Sequence, residues 1–235
     1  MMPKKVNFSR HLEKHWLDQV AILSSQKIDE IDVFENISRI LEPSVRSKIN
    51  RDKTRSQLMN IWFYKSGFDE SWHASAFEYL NKVDHVPFIL HWGMLITKNN
   101  FFADAVRFIG RKTKYNSQFT YGQIEKYISE LYGDTETVKR SLRSVLKTLI
   151  NFQIIHREQN GYYSSQKSKG IIEKKYKNWL LFGLMQSKGL NSRSVVDLVD
   201  DLVWFPFLFT LTVNEIDESL FELHQQGNDL ILFKK

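Results

Sequence analysis

The chain contains no cysteine. This excludes disulfides, thiolate metal sites and cysteine nucleophiles, and it makes a reducing cytoplasm the expected setting. No apolar run approaches the ~20 residues that a membrane-crossing helix requires. The longest, LVWFPFLFTLTV from Leu202 to Val213, has 12 residues and includes Pro206. The opening residues, MMPKKVNFSRHLEKHW, hold no apolar stretch of the kind that directs export. The chain also lacks a Gly-rich phosphate loop, a dinucleotide fingerprint, a nucleophile elbow and an HExxH metal motif. An enzyme is therefore not expected, and neither is a cofactor.

The nearest approach to a metal site is HLEKH. If helical, it places His11 and His15 one turn apart with Glu13 across the helix, and no third ligand follows at a useful spacing. His85 and His91 do not share a helical face and have no evident partner. Asp200 and Asp201 are neighbours that point about 100° apart on a helix, so they read as surface acids rather than an acid/base pair.

What is present is a folded composition, 42% hydrophobic, with a formal charge of +6 that is unevenly distributed. Residues 1–100 carry 14 basic and 12 acidic groups, residues 101–170 carry 12 and 6, and residues 171–235 carry 7 and 9. The middle of the chain holds the excess, which suits attraction to a polyanion.

Periodicity divides the chain into three. Residues 1–100 read as a helical bundle, broken at Pro43, Gly67 and near Pro87. Trp16, Trp62, Phe63, Tyr64, Trp72, Phe77, Tyr79, Phe88 and Trp92 recur there at core spacing. Within the bundle, RSKINRDKTR carries Arg46, Lys48, Arg51, Lys53 and Arg55 against the single acid Asp52. That run is either a secondary phosphate-contacting surface or a solvated helix face.

Residues 101–166 read as helix, helix, basic helix and hairpin. In GDTETVKRSLRSVLKTLI, Val138, Leu142, Val145, Leu146, Leu149 and Ile150 form one apolar stripe. Lys139, Arg140, Arg143, Ser144 and Lys147 occupy the opposite face without interleaved acids. Thr120 is the expected cap of the second helix, Asp134 or Thr135 of the third. The following FQIIHREQNGYYSS predicts a strand, a two-residue Asn160-Gly161 turn with both residues at positive φ, and a returning strand. This is the order of a winged helix-turn-helix. In that fold the third helix enters the major groove of double-stranded DNA while Arg157 and Asn160 in the wing approach the backbone. The plainer alternative is a core helix with a solvated basic face.

SSQKSKGIIEKKYK, residues 164–177, is polar and reads as a linker. Residues 167–235 then predict a second, winged-helix-like α+β module. Its segments are NWLLFGLMQSKGL and SRSVVDLVDDLVW as helices, FLFTLTV as a strand, NEIDESLFELHQQG as a helix and NDLILFKK as a strand. The third helix of that module would carry Glu215, Asp217, Glu218 and Glu222, a face that repels phosphate and suits a protein contact or a structural role.

The helical first half with its NRDKTRSQL run, the unit from FFADAVRFIGRK to NGYY and the trailing second unit together resemble the A proteins of bacterial BREX phage-defence systems. The resemblance implies a small, non-enzymatic, cytoplasmic DNA-binding component that associates with larger phage-defence proteins. A protein–protein adaptor that docks through its winged helices is the alternative reading. The acidic last unit departs from a purely DNA-binding pattern.

Overall fold

The computed structural model describes residues 3–26, 28–65, 67–81, 83, 85–114, 118–165, 170 and 173–235. Among these the fold is mainly α-helical with two small antiparallel sheets. The chain begins as an extended strap, residues 3–13, followed by α1 (Lys14–Ser25), α2 (Glu30–Leu41), α3 (Lys48–Trp62), α4 (Glu70–Leu80) and α5 (Phe88–Lys98). Asp29 and Asp69 cap α2 and α4, each accepting the N–H of the third residue on, an arrangement that stabilises a helix by about 1 kcal/mol.

The central unit comprises α6 (Asn100–Thr113), β1 (Phe119–Thr120), α7 (Tyr121–Tyr132), α8 (Glu136–Asn151), β2 (Ile155–Arg157) and β3 (Tyr162–Ser165), with strand order β1-β3-β2. Thr120 and Gln123 form a reciprocal capping box at the start of α7. The Thr135 hydroxyl accepts the Val138 N–H at the start of α8. Both caps are at expected positions.

The hairpin differs from the expected turn. Glu158 C=O accepts from Gly161 N–H at 3.0 Å, and Glu158 N–H donates to Tyr162 C=O at 2.8 Å. Only Gly161 is left-handed, at φ 81°, while Asn160 is not among the residues with positive φ. The connection is therefore a three-residue loop, a turn closed by a left-handed glycine. Asn160 contributes through its side chain, whose Oδ1 accepts the Tyr162 N–H at 3.1 Å.

The last unit runs through α9 (Lys174–Ser187), β4 (Ser192–Ser194), α10 (Val195–Val199), two short 3-10 turns at Leu202–Trp204 and Val213–Glu215, β5 (Phe221–Gln226) and β6 (Asp229–Lys234). Its strand order is β4-β6-β5. The expected acidic helix is absent among these described residues. Phe221 and Leu223 alternate with exposed Glu222 and His224, a period of two, and pair with β6 through a turn in which Gly227 has φ 60°. FLFTLTV forms no strand, and only Leu208 bridges to Gly170. The start of α9 overrides the linker reading at its C-terminal end, since Tyr176 and Lys177 are buried. Residues 166–169 and 171–172 of that stretch lie outside the described residues.

One continuous buried cluster includes residues of all three segments. Its tightest joint lies between α5 and α9. A Cβ on Gly93 would sit 2.1 Å from the Trp179 ring. Trp179 in turn stacks on Trp72 with centroids 5.1 Å apart and planes 6° from parallel. Each indole N–H donates to the other residue's carbonyl, at 2.9 Å both ways. Hydrogen-bonded, close-packed indoles of this kind make the last unit part of the core rather than an appendage.

Candidate nucleic-acid interface

The face of α8 follows from its register. Val138, Ser141, Leu142, Val145, Leu146, Thr148 and Leu149 are buried, while Arg140, Arg143 and Lys147 are exposed and Lys139 and Ser144 half-buried. Ile150 departs from the expected apolar stripe and is 38% exposed, because it sits on the same edge of the helix as Arg143 and Lys139.

The cations on this face are not equally free. Lys139 Nζ lies 2.8 Å from Asp134, a bond that raises its pKa, and Arg143 lies 3.1 Å from Glu136. Arg140 and Lys147 have no ion-pair partner among the described residues. Asp134 lies in the turn ahead of α8 and Glu136 is its first residue, so together they offset charge as far along the helix as Arg143.

The strap covers the flank of the helix beside the basic face. Leu12 N–H donates to the Thr148 hydroxyl at 2.9 Å, Lys14 N–H to Asn151 Oδ1 at 3.1 Å, and Lys4 N–H to Leu131 C=O at 3.0 Å. Phe8 and Leu12 are fully buried beneath it. From α3, Gln57 holds the strap. Its Oε1 accepts the N–H groups of Ser9 and Arg10 at 2.8 and 3.0 Å, and its Nε2 donates to Arg10 C=O at 2.7 Å. Ser144 consequently faces the strap as well as solvent: its hydroxyl lies 3.5 Å from Ser9 C=O and donates to Arg140 C=O at 3.1 Å. Sequence reasoning missed the strap altogether, since contacts up to 137 residues apart made by an aperiodic segment leave no local pattern.

In the hairpin, Arg157 and Asn160 are exposed. Arg157 pairs across the sheet with Tyr163, whose ring stacks on Phe119 with centroids 5.2 Å apart. The base of the hairpin is thereby anchored to the start of α7.

The secondary cluster divides. Arg46, Lys48 and Lys53 are exposed. Arg51 turns back to the carbonyls of Val45 and Arg46 at 3.0 and 2.9 Å, closing the turn before α3. Arg55 is 9% exposed. Its guanidinium donates to Ser38 at 2.7 Å and Asp52 at 2.8 Å and lies 3.4 Å from the centroid of the Phe34 ring. Arg55 is therefore structural, because a desolvated guanidinium with these partners has little surface left for a phosphate, whereas Arg51 is half-buried and uses one guanidinium nitrogen to close its turn.

Other polar residues also find structural partners. His11, Glu13 and His15 do not share a helix, because α1 begins at Lys14; Glu13 sits between the two imidazoles, 3.8 and 3.4 Å away. No group of metal-ligating side chains is present among the described residues. His91 is fully buried, accepting from the Trp62 indole at 3.1 Å and facing Asp18 at 2.8 Å; burial lowers its pKa, against the opposing pull of Asp18. Asp201 is not a surface acid. Its side chain is 7% exposed, bonded to Arg107 at 3.0 Å and to Lys188, and caps Val203.

No helix among the described residues is long and apolar enough to cross a membrane. Compared with models of protein families, with curated proteins and with solved structures, the chain matches none.

Proposed function

We propose that the chain is a non-catalytic double-stranded DNA-binding protein whose central unit, residues 100–165, is a winged helix-turn-helix with α8 as its reading helix. One observation carries this reading. The side of α8 left uncovered by the core and the strap presents Arg140, Arg143 and Lys147 in one stripe, directly ahead of a hairpin that exposes Arg157. A stripe of cations on a rigid, capped helix is suited to the phosphates that flank a major groove, and the hairpin to the adjacent backbone. The strand order β1-β3-β2 supports the same reading.

The second unit repeats the strand order without a third helix, and we assign it a structural or protein-contacting role. The resemblance in layout to the A proteins of BREX systems would place such a protein among the cytoplasmic, DNA-binding components of a phage-resistance island.

The test is fluorescence anisotropy of the full chain on duplex DNA, single-stranded DNA and RNA across a salt series. Preference for duplex, with steep loss of affinity as salt rises, supports the proposal. Binding to none of the three removes it and leaves the adaptor reading, in which the same face meets an acidic protein.

A further inference from the structure

Beside the basic face of α8, a cleft of about 580 Å³ opens between the strap, α3 and the start of α6. Three cations line it from three different elements: Arg10 of the strap, Lys53 of α3 and Arg140 of α8. Their charge is not locally cancelled. The acid on the rim, Asp52, is turned to Arg55 at 2.8 Å. Arg10 bonds only to neutral oxygens, Ser9 C=O at 2.8 Å and Asn50 Oδ1 at 3.0 Å, and its Nε is buried without a partner among the described residues.

Asn99 also lines the cleft. It is 5% exposed, yet its side chain caps no backbone N–H and pairs with no other group among the described residues. Asn99 occupies the N-cap position of α6, a 14-residue helix, where the helix dipole favours negative charge. Its neighbour in the cleft, Asn7, is by contrast fully used: it donates to Lys98 C=O at 3.1 Å and accepts from Phe101 N–H at 3.2 Å. Among the described residues, the cleft-lining side chain with a buried, unpartnered polar atom is Arg10, through its Nε, and such a group is costly unless something completes it.

We infer that this cleft is a phosphate-binding site in which Arg10, Lys53 and Arg140 supply charge and the Asn99 amide supplies a directed hydrogen bond. Arg140 belongs to both the α8 face and the cleft, so the phosphate is one of the duplex backbone as it leaves α8 and crosses toward α3. In that form the inference rests on the proposed DNA-binding function. A free phosphate compound offers the same chemistry, and the test separates the two sources.

Two variants test it. Asn99→Asp places a carboxylate of nearly the same shape on the cleft wall and breaks no capping bond, since the Asn99 side chain makes none. Lys53→Gln removes an exposed cation and does not disturb the core, so it decides the matter if Asn99→Asp folds poorly. Both are titrated with a duplex oligonucleotide over a salt series and, separately, with inorganic phosphate and pyrophosphate by calorimetry. Duplex affinity is expected to fall about tenfold in Asn99→Asp, and the salt slope by about one in Lys53→Gln. Unchanged duplex binding with phosphate binding lost in the variants supports the site with a free ligand as its source. If neither variant differs from the parent toward either probe, or if only nonspecific phosphate binding common to all three proteins is seen, the inference is wrong. If the parent itself ignores duplex, the proposed function fails while the phosphate arm still decides the cleft.

Discussion

The central and C-terminal units have the same strand order, β1-β3-β2 and β4-β6-β5, each with a short strand ahead of a helix and a hairpin at the end. They differ in what lies between that helix and the hairpin. In the central unit it is α8, 16 residues with cations on its outer face. In the C-terminal unit it is irregular chain held inward. The Asn178 side chain donates to Glu215 C=O and accepts from Asp217 N–H, and buried Lys177 meets the Glu215 carboxylate at 2.5 Å. The first unit leaves a cationic helix face exposed, whereas in the second the corresponding chain is attached to α9. A shared strand order therefore does not imply a shared role, because the exposed element determines what a unit can touch.

The comparison can be broken most severely by removing the second unit. Truncation after residue 170 deletes α9, whose Trp179, Leu180, Leu181, Leu184 and Met185 are at most 1% exposed. The remainder is expected to lose cooperative unfolding altogether, and Trp179→Ala alone should cost about 3–5 kcal/mol. Urea denaturation followed by circular dichroism checks both, and a stable, cooperative truncated protein would show that the units are independent after all.

Charge provides the next contrast. Reversing Arg140 and Arg143 together should weaken duplex binding by one to a few kcal/mol, about tenfold or more, with the melting curve little changed. Neutralising Glu218 and Glu222 of the second unit should leave duplex affinity within about 0.5 kcal/mol. Equal effects from the two pairs would abolish the distinction between the units.

A third prediction concerns stability and pH in the helical bundle that joins them. His73 is 3% exposed and its Nε2 has no partner among the described residues; burial, aided by Lys98, depresses its pKa to about 4. Below its unfolded value near 6.5, the unfolded chain takes up the proton and the folded chain does not. Stability is thus fully present above pH 6.5 and is lost as pH falls toward 4, at about 1.4 kcal/mol per unit at most. Denaturant midpoints from pH 7 to 4 should fall in the parent and fall less in His73→Leu. Parallel profiles would locate the acid sensitivity elsewhere.

The smallest effects belong to the central hairpin. Gly161→Ala forces a side chain into φ 81° and should cost about 1 kcal/mol, whereas Asn160→Ala loses only a local hydrogen bond and should cost less. Arg157→Gln should leave stability unchanged and lower the salt slope of duplex binding by about one, equally for unrelated sequences. An unchanged slope would make the hairpin a structural end to the sheet.

The central unit was legible in the sequence because its signals are local. Val138, Leu142, Val145, Leu146 and Leu149 mark the buried side of α8, and Thr120 and Thr135 mark two helix starts; all of these lie where the periodicity put them. The hairpin was located correctly, but its turn was misread. Asn160 supplies a side-chain acceptor rather than a left-handed backbone, a choice the dipeptide alone does not determine. The third element of the last unit was misread for a different reason. Ile216, Leu220, Phe221 and Leu223 fit a helix and a strand alike over so short a span, and the pairing of Phe221–Gln226 with β6 decided for the strand. Arg55, His91 and Asp201 were illegible as structural groups because their partners are distant in sequence or in other elements. The strap over α8 had no signature, since Gln57 holds it mainly through the backbone groups of Ser9 and Arg10.

The central claim, that the uncovered face of α8 holds duplex DNA, is tested most directly by the salt dependence of binding in the parent and in the Arg140→Glu/Arg143→Glu variant on one duplex. Each phosphate neutralised contributes about 0.9 to the slope of log affinity against log salt. The account predicts a steep parental slope and a variant slope shallower by about two, with affinity reduced at every salt concentration. Superimposable lines for the two proteins would contradict it.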